Sequence, residues 1–365
     1  MKIDKITLTN FRNYRKQSLE LGLGINFIIG PNGAGKTNFL ESVYVLALAK
    51  SYKVADSDLI HYGSDFAKIY SAISLGGSAN QLSLVITELG KKALLNGVEI
   101  KRLSDYIGKL NVVSFLPEDL NLIKGAPRDR RYYFDVFLGQ IDRDYLDELS
   151  QYKHLLKQRN ELLKHISEAK HPDIDLLDVI TEQFVESSQR ISHRRKTFIE
   201  RMNGLLETTY RYLSQKDEHA LLAFAPSIET QDALSIVKSK YRQDLLQKTT
   251  TIGAHRDDYL FQLEHYPARV HASQGEQRTF ILALILALGE TIYNTKKEWP
   301  VFLLDDVFSE LDQSRQNRLM EYLMQKKAQT IVTATGTQEI RKYVIQQAKL
   351  FSVNEGTIKE ERLHD

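Results

Sequence analysis

Gly30-Pro-Asn-Gly-Ala-Gly-Lys36-Thr37 is the stretch on which the fold turns. It fits the pattern G-x-x-x-x-G-K-[ST]. It lies between an almost wholly apolar run, Ile25 to Ile29, and a segment with Leu40, Val43, Tyr44, Ala47 and Leu48 at helical spacing. Strand, glycine-rich turn and helix are the context this motif requires, and they weigh against an ordinary glycine turn capping a helix. The glycines let the backbone curl, so that successive N–H groups and the positive end of the following helix surround a phosphate. Lys36 is then placed to neutralise β- and γ-phosphates, and the Thr37 hydroxyl to ligate Mg²⁺. Gly30, Pro31, Asn32, Gly33, Ala34, Gly35, Lys36, Thr37 and Asn38 are the expected contacts of ATP.

Two further stretches extend this chemistry. Val301-Phe-Leu-Leu-Asp305-Asp306 reads as a buried strand ending in two carboxylates. Such an ending could simply cap a turn. Beside a phosphate loop, Asp305 is placed to hold Mg²⁺ near Thr37, and Asp306 to orient or deprotonate the attacking water. Ser273-Gln-Gly275-Glu-Gln277 opens an apolar helix through Leu288. It reads either as a second anion site, a hydroxyl with free N–H groups, or as a plain capping box with Ser273 and Glu276 as partners. Two phosphate-type sites exceed what one ATP in one monomer needs. They make sense if ATP is held between the loop of one subunit and the serine site of another, in a head-to-tail homodimer of ATP-binding-cassette (ABC) type.

The surrounding 365 residues exceed the usual ~100 to 200 per domain, so a second domain or a large insertion is expected. With 42% hydrophobic and 26% charged residues the chain has globular usage. Forty-nine Lys plus Arg against forty-seven Asp plus Glu leave +2, so any nucleic-acid surface must be local. The absence of cysteine excludes disulfides, zinc–thiolate sites and thiol chemistry. The opening residues lack a signal-peptide pattern, and the longest apolar run, Phe280 to Leu288, is about half of the ~20 residues a membrane span needs. A soluble, cytoplasmic protein is expected.

Ile3, Ile6, Leu8 and Phe11, then Leu19, Leu21, Leu23 and Ile25, read as strands. Residues 66 to 116 read as a further β region with turns at Gly76-Gly77 and Asn96-Gly97. Helical spacing takes over after about Asp135, in Leu149, Tyr152, Leu156, Leu163 and Ile166, and returns beyond His171-Pro172 in Ile180, Phe184, Ile191, Phe198, Met202 and Leu205. Two amphipathic helices joined near Pro172, each about 30 residues and about 45 Å long, are the simplest account. The expected fold class is α/β, an ABC-type P-loop ATPase head of mixed sheet with helices. It would cover 1–120 and 245–365, with a β subdomain at about 1–30 and 66–116. A mainly helical domain with a short hairpin would be inserted at 121–244. Most charges on the hairpin read as a solvated face. Basic residues crowd at Lys124, Arg128, Arg130 and Arg131 and at Arg194, Arg195 and Lys196, which makes them candidate DNA contacts.

Five motifs stand in order along the chain: Leu8-Thr-Asn10-Phe-Arg12-Asn13-Tyr14; the phosphate loop; Phe115-Leu-Pro117-Glu118-Asp119-Leu with Gly125-Ala-Pro127-Arg-Asp-Arg130-Arg131; Thr251-Ile-Gly-Ala-His255-Arg256-Asp257-Asp258 with Ala272-Ser273-Gln-Gly275-Glu-Gln277-Arg278; and Leu304-Asp305-Asp306-Val-Phe-Ser-Glu310-Leu-Asp312. In these the chain resembles the RecF family from end to end. The resemblance implies a bacterial replication and repair ATPase related to SMC heads. Arg12 and Asn13 would lie near the nucleotide, Ser273, Gly275 and Gln277 would form the signature acting in trans, and Glu310 and Asp312 would sit at the dimer seam. It further implies ATP and Mg²⁺ as cofactors, DNA, RecO and RecR as partners, and the loading of RecA. Asp306 stands where transporters carry Glu, which implies slow hydrolysis. Thr333-Ala-Thr335 lacks the transporters' switch histidine, and Glu118 or Asp119 takes the place of the Q-loop glutamine. His255-Arg256-Asp257-Asp258 has no second histidine at a metal-binding spacing and reads as structural.

Two rivals share the loop. A transporter's nucleotide-binding subunit would be a compact domain of about 230 to 250 residues, whereas this chain spends about 100 more on helices. An SMC-like structural protein needs arms far longer than about 45 Å.

Overall fold

The structure, a computed structural model, describes residues 1–168, 174–229, 232–336 and 348–361; the side chain of Glu310 lies outside that description. Two compact units divide the chain. Met1–Leu120, Leu205–Glu218 and Ser273–Asp365 form the first, and Asn121–Gly204 with His219–Ala272 form the second.

In the first unit five strands run parallel in the order Lys349–Asn354, Ile25–Ile29, Thr330–Ala334, Val301–Leu304 and Val112–Phe115, with Thr357–Glu361 added antiparallel at one edge. Continuous burial along Val301–Leu304 and Thr330–Ala334 is what a sheet covered on both faces demands, and it explains why these strands read as unbroken apolar runs. Helix Lys36–Leu48 is buried on nearly all sides because it lies against this sheet and also against a second one. Helix Gln274–Lys296 packs so closely on Val301–Leu304 that a Cβ at Gly289 would run into the ring of Phe302.

The second sheet is antiparallel, in the order Tyr14–Glu20, Lys2–Phe11, Phe66–Leu75, Ser78–Thr87, Gly90–Leu95, Val98–Ile100. Ile6, Leu8, Ile69, Leu84, Ile86 and Ala93 fill its buried face, and the alternate residues face outward. The expected turn at Asn96-Gly97 has both residues in the left-handed region, φ 53° and 80°, as a tight hairpin of twisted strands requires.

The second unit holds helices Pro127–Ile141 and Arg143–Glu168, most of Ile174–Ser214, and the antiparallel strands Ala220–Ala225, Asp258–Leu263 and Tyr266–Pro267. The two long helices have 26 and 41 residues, about 39 and 62 Å, rather than two equal legs. The junction at His171-Pro172 lies outside the described residues. Buried Tyr145, Leu149, Tyr152, Leu155, Arg159, Leu163 and Ile166 are answered by a second buried series, Leu177, Thr181, Phe184, Ser188, Ile191, Arg195 and Phe198, both at steps of three and four. The boundaries differ from those the sequence predicts. Ala220–Ala225 pairs along its whole length with Asp258–Leu263, which keeps 245–272 with the helical unit. Residues 205–218 belong to the first unit, where Thr209 Oγ1 donates to the Ala283 carbonyl at 3.0 Å. Among the described residues, no helix is long and apolar enough to cross a membrane.

Candidate nucleotide site

The parallel strands end together and carry the site at their carboxyl ends. Ile29 feeds the phosphate loop, Leu304 feeds Asp305 and Asp306, and Thr333 comes from Thr330–Ala334. Gly35 caps helix Lys36–Leu48 at φ 118°, and a Cβ there would strike the Asn13 amide and lie 2.9 Å from the Tyr14 hydroxyl. Only glycine fits. The turn after Lys2–Phe11 clamps the loop: Asn13 Nδ2 donates to the Ala34 carbonyl at 3.2 Å, Asn38 Nδ2 to Asn13 Oδ1 at 2.8 Å, and Tyr14 Oη to the Gly35 carbonyl at 2.8 Å. The Gly356 amide reaches Ala34 O at 3.3 Å from the opposite edge. Lys36 Nζ donates to the carbonyls of Gly30 at 2.6 Å and Pro31 at 3.0 Å. Burial lowers the pKa of its ammonium, while Asp306 and Asp305 oppose the shift.

Asp305 is the hub. Thr37 Oγ1 donates to its Oδ2 at 2.9 Å, and Thr333 Oγ1 donates to its Oδ1 at 2.6 Å. Burial raises its pKa against those two hydrogen bonds, with the neighbouring Asp306 charge adding to the rise. The same Thr333 oxygen accepts the Asp306 amide at 2.8 Å, and Ser309 Oγ donates to Asp306 Oδ2 at 3.0 Å. Asp306 sits at φ 48°, a left-handed position that costs a non-glycine residue about 1 kcal/mol or more unless its surroundings hold it there.

Arg12, at φ 54°, donates from Nε to Glu41 Oε2 at 2.8 Å. Fully buried Glu41 also accepts Ser51 Oγ at 2.6 Å, and Ser51 in turn receives the amides of Lys53 and Val54. Glu118 is exposed. Asp119 folds back on the Leu116 amide at 2.8 Å, and burial pushes its carboxyl up to about 7 against that hydrogen bond.

Ser273 realises the capping box. Its hydroxyl accepts the Glu276 amide at 3.3 Å, and Glu276 Oε2 takes its N–H at 2.9 Å. Glu276 is held down to about 2 by Lys216, with the Ser273 contacts helping. Ser273 is nonetheless exposed, and a Cβ at Gly275 would meet only open space. Gln277 is buried, and Asp312 caps helix Gln313–Lys326 by accepting the Arg315 amide at 2.9 Å. The side chain of Glu310 lies outside the described residues.

Two of the seven basic candidates, Arg130 and Arg195, are buried, and Arg131 and Arg194 are half-buried and held by neighbours. Arg130 makes a two-pronged pair with Asp258 at 2.7 and 2.9 Å. Arg195, buried, binds Asp135, Asp257 and the Ala254 carbonyl; Arg131 donates to the Asp257 carbonyl, and Arg194 bridges Asp142 and Glu148. We therefore withdraw Arg130 and Arg195 as DNA contacts, since an arginine enclosed by carboxylates has no charge left to offer a phosphate. Lys124, Arg128 and Lys196 are exposed. The crowding reflects two motifs locked together, Gly125 to Arg131 against His255 to Asp258. His255 takes part through Nδ1 to Tyr152 at 2.7 Å and Nε2 to Thr250 O at 3.0 Å. Sequence reasoning assigned no role to Tyr14 or Ser309, though both stand within quoted motifs, nor to Thr333 as a bridge, and it passed over Glu41, Ser51 and Gly356, which carry no pattern of their own.

A phosphate loop at the end of a parallel sheet, faced by a strand-end Asp-Asp and accompanied by a capped signature-type helix, defines an ABC-type P-loop ATPase head. The chain belongs to the RecF family within this class. Residues 2–359 match the RecF/RecN/SMC N terminal domain. The chain is 39% identical over 369 residues to the DNA replication and repair protein RecF of Geobacillus kaustophilus, covering 98% of this chain and 99% of that one. It is 40% identical over 367 residues to the protein of that name from Macrococcus caseolyticus, with the same coverage. Among solved structures it is similar to the recombination mediator protein RecF with ATP, of the RecFOR pathway, with TM-score 0.90 and 29% identity over 99% of this chain and 97% of that one. An SMC head from Pyrococcus furiosus shares the fold at TM-score 0.58 and 18% identity, over 98% of this chain and 95% of that one.

Proposed function

We propose that this chain is a DNA-binding ATPase switch: ATP closes two copies head to tail over duplex DNA at gaps or junctions, and slow hydrolysis releases them. Acting with RecO and RecR, it would promote the loading of RecA. The observation that carries the reading is the chain of contacts Thr37–Asp305–Thr333–Asp306 beside the phosphate loop. It ties a metal-type oxygen pair, through one buried hydroxyl, to the backbone amide of the residue whose carboxylate would activate water.

The residues fit both cofactors. Thr37 and Asp305 offer only oxygen donors, which suits Mg²⁺ rather than a softer ion. Mg²⁺, when bound, supplies charge neutralisation between the β- and γ-phosphates. The phosphates of ATP would replace the Gly30 and Pro31 carbonyls as partners of Lys36. Asp306, held by Ser309 and Thr333, orients the attacking water and takes its proton. Ser273 and the free N–H groups at its helix start meet the γ-phosphate of the partner, which requires the Ser273 hydroxyl to turn away from Glu276.

Sedimentation tests this directly. Wild type should be dimeric with ATP and retain a gapped duplex. Ser273→Arg should bind ATP within about threefold of wild type yet stay monomeric, because an arginine there blocks the partner's site. Normal dimerisation of that variant overturns the trans arrangement.

A further inference from the structure

The open face of the antiparallel sheet carries a row of lysines that strand register alone brings together. Lys16 lies opposite Thr9, Thr9 opposite Lys68, Lys68 opposite Val85, and Val85 opposite Lys92. A lysine therefore recurs on every second strand, about 10 Å from the next, along a line of about 19 Å. All three are exposed. Lys16 and Lys68 make no ion pair among the described residues, and Lys92 meets only the exposed Glu99 at 2.7 Å. In the neighbouring row Thr7 and Ser18 share a hydrogen bond at 3.0 Å beside Tyr70, and of the acids nearby Glu20 is matched by Lys5 at 3.2 Å and Asp4 by Lys2 at 3.0 Å.

Guarding of sheet edges explains lysines on outer strands, but Lys68 stands on Phe66–Leu75, flanked on both sides by paired strands. A solvated face needs no alignment across five strands either. A duplex presents a negative charge per about 1.7 Å of axis, so a line of about 19 Å spans several phosphates and suits a backbone read without regard to sequence.

We propose that this row, Lys16, Lys68 and Lys92, is the chain's duplex-DNA surface on the ATPase head, in place of the basic clusters of the helical unit. The proposal deepens the DNA-binding reading above and rests on it. It also supplies a route from nucleotide to DNA. Lys16 lies three residues beyond Asn13, in a hairpin whose turn is bonded to Ala34 of the phosphate loop and to Asn38 of the helix that follows it.

The test compares two triple variants in DNA titrations with ATP at several salt concentrations. Lys16→Gln/Lys68→Gln/Lys92→Gln should bind ATP like wild type by calorimetry and lose at least tenfold in duplex affinity near about 100 mM salt. Its log–log salt slope should be shallower by about 3 per engaged protomer. Replacement of the same three positions by Arg should restore affinity, and Lys124→Gln/Arg128→Gln/Lys196→Gln should keep wild-type affinity and slope. Wild-type behaviour of the first triple variant overturns the surface while leaving the DNA reading intact. Absence of DNA binding by wild type itself overturns the DNA reading, and the surface with it.

Discussion

Thr333 shows how much of a catalytic site can rest on one hydroxyl. It donates to Asp305, the proposed metal ligand, at 2.6 Å and receives the amide of Asp306, the proposed water-activating residue, at 2.8 Å, so the two acids are held in one fixed relation. Removing it should leave ATP affinity within about threefold while reducing kcat at least tenfold, about 1.4 kcal/mol of barrier or more, because the loss falls on the geometry of the transition state. Thr333→Val checks this by steady-state hydrolysis and calorimetry, and Thr333→Ser should recover most of the rate. A fall in ATP affinity equal to the fall in rate would make the residue merely structural. Lys36, Thr37, Asp305 and Asp306 were legible in the sequence because contiguous motifs announce them. Thr333 was not, for it becomes a neighbour of Asp305 only when Leu304 pairs with Val332, across 28 residues of chain. The sequence led us to look there for a missing imidazole, and the strand instead presents a bridge.

At the scale of elements, the helical hairpin was legible as two amphipathic legs, but its interior was not. Charge alone marks Arg159 and Arg195 as surface positions, yet their spacing puts both in the buried stripe. Arg159 meets Asp244 at 2.8 Å, and Arg195 meets Asp135 and Asp257, so each charge is matched by acids distant in sequence. His255 belongs to the same interior. Burial pushes its imidazole down to about 4, with the hydrogen bond to the Thr250 carbonyl opposing, so the fold favours the neutral ring. The unfolded chain takes up the proton near 6.5, and stability therefore falls as pH drops from about 6.5 toward 4. At pH 5 the loss from this group should be about 2 kcal/mol relative to pH 7. Denaturant unfolding of wild type and His255→Gln at both pH values checks it: the variant should show a smaller drop between the two, and equal drops would mean that His255 keeps its ordinary affinity for protons.

For the whole molecule, a net charge of +2 gives one copy little long-range pull on DNA. In the proposed dimer two copies would double the positive surface offered to one duplex, so the lifetime of the closed state would set how long DNA is held. On this proposal that lifetime would depend on Asp306, which is fixed at φ 48° with Ser309 on its side chain and Thr333 on its amide. Asp306→Asn keeps the size and the Ser309 contact but cannot take a proton from water. Turnover should fall by about 10² or more, the usual contribution of a general base, while ATP binding and dimerisation persist. Sedimentation should then find the variant dimeric with ATP long after wild type has returned to monomer, and its release from a gapped duplex should slow in proportion to the loss of hydrolysis. Wild-type turnover would remove Asp306 from the chemistry. Slow turnover with fast DNA release would instead uncouple hydrolysis from the switch, leaving ATP binding alone to govern it.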